Sequence, residues 1–170
     1  MFENFLSKEK LNFSEIIFFI LYSFFTLILL FVLDILNDKE FARILLLFYS
    51  SGTILFLYIF GYKSLRKLLF TQICILIGLI HVMIFLFIKD NIDLYSKRGH
   101  SGNALNYTIL AVVLFQILRF ISLKIQQKEL VCPDRSGIDM FDNRKTNFFD
   151  FIFFLFYILA FVGFIIISSE

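Results

Sequence analysis

The chain has 170 residues, of which 59% are hydrophobic and only 18% charged, with a mean hydropathy of +0.85. A soluble domain is closer to half apolar and a quarter charged, so this balance argues against a soluble globular domain and for a membrane protein. A formal net charge of +2 gives no reason to expect a nucleic-acid partner. Phenylalanine occurs 26 times, tryptophan never and proline once. Together with abundant Ile, Lys and Asn, this suits an AT-biased bacterial genome.

A helix needs about 20 apolar residues to cross roughly 30 Å of hydrocarbon. Uncharged runs of that order occupy Ile16–Leu33, Ile44–Tyr62, Leu68–Ile88 and Phe151–Ser169. A fifth run, Ala104–Leu118, is shorter and stops at Arg119, whose guanidinium can snorkel towards the headgroups. The expected fold is all-α, in one membrane domain with five transmembrane helices over 16–36, 43–62, 67–88, 104–123 and 148–168. Residues 124–147 form a polar connection. Four spans is the alternative, should Ala104–Leu118 lie on the surface. The first run has no small-residue cleavage site after it, so it is expected to be retained and not removed as a signal peptide.

Lys and Arg set the orientation. Eleven of them fall at the N-terminus and in the second and fourth connections, against five in the first and third. The positive-inside rule then places the N-terminus and 124–147 in the cytoplasm and the C-terminus outside, in a bacterial inner membrane. Cys74 lies in an apolar run and Cys132 in the polar connection, so no disulfide is expected between them. No spacing of His, Cys, Asp or Glu suits a metal, and no cofactor motif is present.

In chain order, the second run carries "YSSGT" at its centre, with Ser50, Ser51 and Thr53 flanking Gly52. These hydroxyls can bond their own backbone, pair with a neighbouring helix or line a pore. In the third run Thr71, Cys74, Gly78 and His81 share an arc of about 80°. They are expected to form a packing stripe, with His81 bonding Ser50 or Ser51; lining a pore is the other reading. In the fourth run Ala104, Thr108, Ala111, Gln116 and Arg119 share one broad side that should face protein. Arg119 and Asp150 lie at the same expected depth on consecutive antiparallel helices, so an ion pair between them is expected.

The helix through Arg119 is expected to run on until Pro133 stops it at Cys132. Asn147 should cap the last helix, with Asp150 at its third position. The connection between them is longer than joining two helices requires. Met140 and Phe141 are apolar residues set among Asp134, Arg135, Asp139 and Arg144, the composition of an anchor with a charged rim. Those six residues are the expected docking surface for a cytosolic protein. Asp134, Asp139 and Asp142 have no histidine on their side of the membrane, since His100 falls in the opposite connection, so no enzyme activity is expected.

The expected function is therefore a non-enzymatic multi-pass subunit that oligomerises and recruits a cytosolic partner. Bacterial effector and anti-phage systems use small membrane components of this kind. A small oligomeric channel lined by the Ser, Thr and His stripes is the alternative.

Overall fold

The computed structural model describes residues 7, 9–35, 38–96, 99–133 and 144–167, apart from the side chains of 34, 35, 165 and 167. Five helices account for most of them: α1 (Phe13–Ile35), α2 (Lys39–Ile59), α3 (Leu68–Ile88), α4 (Thr108–Gln126) and α5 (Phe148–Ile167). A two-residue hairpin, β1 (Tyr95–Ser96) and β2 (Gly99–His100), lies between α3 and α4. Four stretches are helical, apolar and long enough to cross a membrane: Phe13–Leu33, Lys39–Ile59, Leu68–Ile88 and Asn103–Gln126. The described apolar part of α5, Phe148–Phe164, is shorter. The Ala104 run, which the sequence left as the doubtful span, is thus among the four long ones. A 3₁₀ turn at Asn103–Tyr107 extends it at the front, and the helix passes through Arg119 without interruption.

Local chemistry explains where the helices begin. At α2, Asp38 accepts from the backbone N–H groups of Glu40 and Phe41, both at 3.1 Å. At α3 the first N–H, of Leu68, is taken by the carbonyl of Ser7 at 3.0 Å, because the N-terminal segment lies alongside the α2–α3 turn. At α5 the cap is reciprocal: Asn147 Oδ1 accepts from Asp150 N, and Asp150 Oδ2 accepts from Asn147 N, each at 3.0 Å. That is the arrangement expected from the sequence.

The end of α4 departs from expectation. The helix stops at Gln126, well before Pro133, and Gln127 takes a left-handed conformation at φ 53°. Ser122 Oγ then donates to Lys128 O at 2.9 Å, and the chain doubles back to bury Leu130, Val131 and Cys132 in the core. Three apolar side chains gain a buried site by this turn, and continued helix would carry them away from it. Cys74 and Cys132 are both buried thiols outside any disulfide.

The core lies among α2, α3, α4, α5 and the returning segment. Tyr58 and Tyr157 stack at its centre with ring centroids 4.0 Å apart. The α5 helix runs antiparallel to α4, from Asp150 beside Gln126 to Phe164, which stacks on Tyr107 at 5.0 Å. The α1 helix buries little of itself, and Phe18 holds it to the body by stacking on Phe56 at 5.1 Å. A close approach of α3 and α4 uses Gly78: a methyl group there would overlap Ile109 Cγ1 and come 3.2 Å from the Ile109 backbone nitrogen. Gly78→Ala is expected to destabilise the fold by about 1–3 kcal/mol, as overpacking does, and Gly78→Leu by more. Chemical unfolding in micelles would measure both; equal midpoints for all three chains would refute the close contact.

At the hairpin end the loops form a small polar lid. Lys39 Nζ meets Asp93 Oδ1 at 2.6 Å, and Arg43 donates to Tyr95 O at 3.2 Å. His100 is buried there, with Nε2–H donating to Ile88 O and Nδ1 accepting from Gly102 N, both at 3.0 Å. Burial lowers its pKa below the ordinary 6.5, against the opposing pull of the Ile88 carbonyl. A proton on Nδ1 would also face the Gly102 N–H. The unfolded chain therefore takes up this proton before the folded one does, and stability falls as pH drops below about 6.5. The slope from this group is at most about 1.4 kcal/mol per pH unit. Unfolding midpoints at pH 7.5 and 5.5 would show it, and His100→Asn should remove that part of the pH dependence.

Candidate functional site

Two polar clusters interrupt the apolar bundle. The first is built on His81, which α3 places on its buried face with Thr71, Cys74 and Gly78. His81 is fully buried, and its ring nitrogens reach three other helices. Nε2 lies 2.5 Å from Tyr22 Oη on α1 and 3.0 Å from Tyr49 Oη on α2; Nδ1 lies 2.8 Å from Thr108 Oγ1 on α4. Tyr22 continues to Thr53 at 3.2 Å and Tyr49 to Thr26 at 2.6 Å. Thr26 and Thr53 donate in turn to the carbonyls of Tyr22 and Tyr49.

One tautomer satisfies every proton in this circuit. With hydrogen on Nε2, the ring donates to the two tyrosine oxygens, Tyr22 donates to Thr53 and Tyr49 to Thr26. Thr108 donates to Nδ1. The opposite tautomer leaves one tyrosine oxygen facing the Nε2 lone pair with its proton already committed elsewhere. Hydrogen on Nε2 is the tautomer that best matches this network, and the cluster is a knot holding four helices.

The partners differ from the expected Ser50 and Ser51. Ser50 is fully buried and returns its hydroxyl to Leu47 O at 3.2 Å; Ser51 is half-buried. Nothing in the local pattern pairs His81 with Tyr22 and Tyr49, because tyrosine in an apolar run reads as one more aromatic. Gln116 does not join the knot. Its Nε2 donates to Leu65 O at 2.7 Å and to Thr71 Oγ1 at 3.1 Å, tying α4 to the turn before α3.

The second cluster lies at the opposite end of the bundle, where the α2–α3 turn meets both ends of the long connection. Arg119 is buried and clasps Glu129 in two-pronged fashion, Nε to Oε2 and Nη2 to Oε1, each at 2.7 Å. Arg66 donates to Leu130 O at 2.8 Å. Asp150 is fully buried and receives Arg144 Nη2 at 2.9 Å and Gln126 Nε2 at 3.1 Å, besides its capping bond. Arg144 Nη1 also donates to Glu129 O.

The expected Arg119–Asp150 pair is therefore replaced by two pairs, Arg119–Glu129 and Arg144–Asp150. The reason is the turn at Gln127, which brings Glu129 back beside Arg119 and leaves Asp150 to the incoming strand of the connection. Arg144, expected on a docking rim, is instead mostly enclosed in this frame. Asp134, Arg135, Asp139, Met140 and Phe141 lie outside the described residues. Beside these pairs, Lys67 and Glu15 form a buried ion pair at 3.0 Å, completed by Ser64 Oγ at 2.6 Å and Asn12 N at 2.7 Å on the same carboxylate. Glu15 escaped sequence reasoning because it sits just before the first uncharged run, and Glu129 because it lies in the polar connection.

Among the described residues, no three His, Cys, Asp or Glu side chains are grouped to hold a metal ion. The fold is a bundle of helices, four of them long and apolar enough to cross a membrane, and its two polar clusters join helices and fix the two described ends of one connection. Compared with known protein families, characterised proteins and solved structures, the chain matches none.

Proposed function

We propose that the chain is a non-enzymatic, multi-pass subunit of a bacterial inner membrane, with five spans, a cytoplasmic N-terminus and an external C-terminus. It associates with its own copies and offers the connection between α4 and α5 to a cytosolic protein. One observation carries this reading: both ends of the connection are built into the bundle. On the α4 side, Glu129 is clasped by Arg119 and Leu130, Val131 and Cys132 are buried. On the α5 side, Arg144 holds Asp150 and the carbonyl of Glu129. A connection that merely joined two helices would need no such frame; one that presents side chains to a partner benefits from fixed ends, which lower the ordering cost of binding.

Within the segment so framed, Met140 and Phe141 are the anchors and Asp134, Arg135 and Asp139 the charged surround. The pore reading finds less support, since His81 and Ser50 spend their polar atoms inside a single copy. Purification from the native host in gentle detergent tests the proposal. A soluble protein recovered with the unaltered chain and lost with Met140→Ala/Phe141→Ala is the expected result. A partner retained by both would move the docking site elsewhere, and recovery of the chain alone as a defined oligomer would remove the recruiting role.

A further inference from the structure

Between α3 and α4 the bundle carries an open groove of about 490 Å³, lined by Thr71 and Ile75 on one helix and by residues between Val112 and Phe120 on the other. Its lining is apolar except for Thr71 and Gln116. The Gln116 amide is oriented by its neighbours. Nε2 gives away both hydrogens, to Leu65 O at 2.7 Å and to Thr71 Oγ1 at 3.1 Å. The reverse orientation would set Oε1 against the Leu65 carbonyl, two acceptors with no proton between them. Thr71 spends its own proton on Leu65 O at 2.9 Å, so it has none for Gln116. Oε1 is thus a buried acceptor with no hydrogen bond among the described residues, which leaves a cost that a donor from outside would remove.

A matching donor stands beside the groove. Gln72 follows Thr71 and precedes Ile75 by three residues, so its side chain leaves α3 about 60° round from Ile75, on the outward side. It is exposed, and its amide makes no hydrogen bond among the described residues. Its depth is that of Gln116, because Gln116 bonds the adjacent Thr71.

We propose that this groove is the contact between two copies of the chain, in which Gln72 of each copy donates to Gln116 Oε1 of the other. The inference gives a surface to the self-association proposed above and rests on that reading. A twofold axis along the membrane normal sets α3 of one copy opposite α4 of the other and leaves depth unchanged. The donor on α3 then meets the acceptor on α4, and symmetry makes the bond twice. Neither amide finds water in hydrocarbon, and glutamine is one of the side chains that hydrogen-bond across helices there. Docking has to shift a side chain of the groove wall to uncover Oε1; Val113 and Ile117, on that wall, are 42% and 49% exposed and have room outside to move into.

The full chain would be studied in its own membranes and in gentle detergent, by bismaleimide cross-linking and by mass from light scattering. The native thiols are buried, so an added cysteine reports its own position. Ile117→Cys, on the groove, is expected to give a dimer band, and Phe24→Cys, exposed on α1, only monomer. Gln72→Leu should weaken the dimer about tenfold, since two equal bonds are lost. Gln116→Leu should do the same, and the double variant should be no weaker than either alone. Gln72→Leu decides if Gln116→Leu does not fold, because Gln116 also ties α4 to Leu65 and Thr71. A dimer unmoved by Gln72→Leu, or cross-linked equally well through Phe24→Cys, overturns this interface and leaves self-association through another face. A chain that is monomeric throughout overturns both the interface and the self-association. A monomer that retains a lipid, lost in Gln72→Leu, would also overturn the proposal and give the groove to that lipid.

Discussion

His81→Ala is expected to destabilise the bundle by about 2–4 kcal/mol. The substitution strands three hydroxyl groups on three helices: Tyr22 and Tyr49 lose an N–H donor, and Thr108 loses its acceptor. An unsatisfied buried polar group costs about 1–3 kcal/mol in a soluble core. In membranes a single interhelical bond averages only about 0.6 kcal/mol and reaches about 1.7. Three bonds, plus the cavity left by an imidazole with no solvent exposure, give the quoted range. Tyr22→Phe removes two edges of the circuit, to His81 and to Thr53, and should cost about 1 kcal/mol. Combined with His81→Ala, it should add less than it costs alone, because its bond to His81 is already gone and only the one to Thr53 is left to lose. Reversible unfolding in mixed micelles would measure all three chains. A loss under about 1 kcal/mol for His81→Ala, or full additivity, would show that the circuit does not hold the helices together.

Asp150→Ala should cost about 3–5 kcal/mol, comparable to breaking a buried ion pair by removing one partner. The carboxylate has no solvent exposure and serves three elements: it caps α5 through Asn147 N, receives Gln126 from the end of α4, and neutralises Arg144. Loss of the cap alone is worth about 1 kcal/mol. The larger part is the Arg144 guanidinium, left mostly enclosed with no counter-charge. Asp150→Asn keeps the shape and an acceptor and should fall between the two. The change has a second, local readout. Arg144 also holds the Glu129 carbonyl, so both ends of the connection should loosen together. Limited proteolysis is expected to cut within 128–147 faster in Asp150→Ala than in the unaltered chain. Under the proposed function, partner recovery should fall in parallel; if cutting accelerates while recovery holds, the frame is not what prepares the docking segment.

Much of the fold was legible because membrane insertion is a property of the local chain. Twenty uncharged residues define a helix of spanning length wherever they occur, so four observed helices fall within a few residues of the expected bounds. Capping is equally local: Asn147 and Asp150 are three residues apart, and the helix geometry itself brings them together. The buried stripe of Thr71, Cys74, Gly78 and His81 follows from 3.6-residue periodicity alone.

What the sequence left undecided were contacts between helices and the place where a polar chain turns. Periodicity says which face of α3 points inward, but not the depth or rotation of α1 and α2 opposite it. His81 therefore met Tyr22 and Tyr49 where serines were expected. Arg119 needed an anion, and the sequence offered several at similar depth; the left-handed turn at Gln127 decided for Glu129. The end of α4 shows the same division. Proline at 133 marks a residue the helix cannot pass, but the helix ended at Gln126, because burying Leu130, Val131 and Cys132 against the other helices was the better use of the chain. Composition and periodicity by themselves determined that the chain is helical, with runs long and apolar enough to cross a membrane, and roughly where those helices lie. Side-chain partners belong to the tertiary structure, because they depend on which helix stands beside which and at what height.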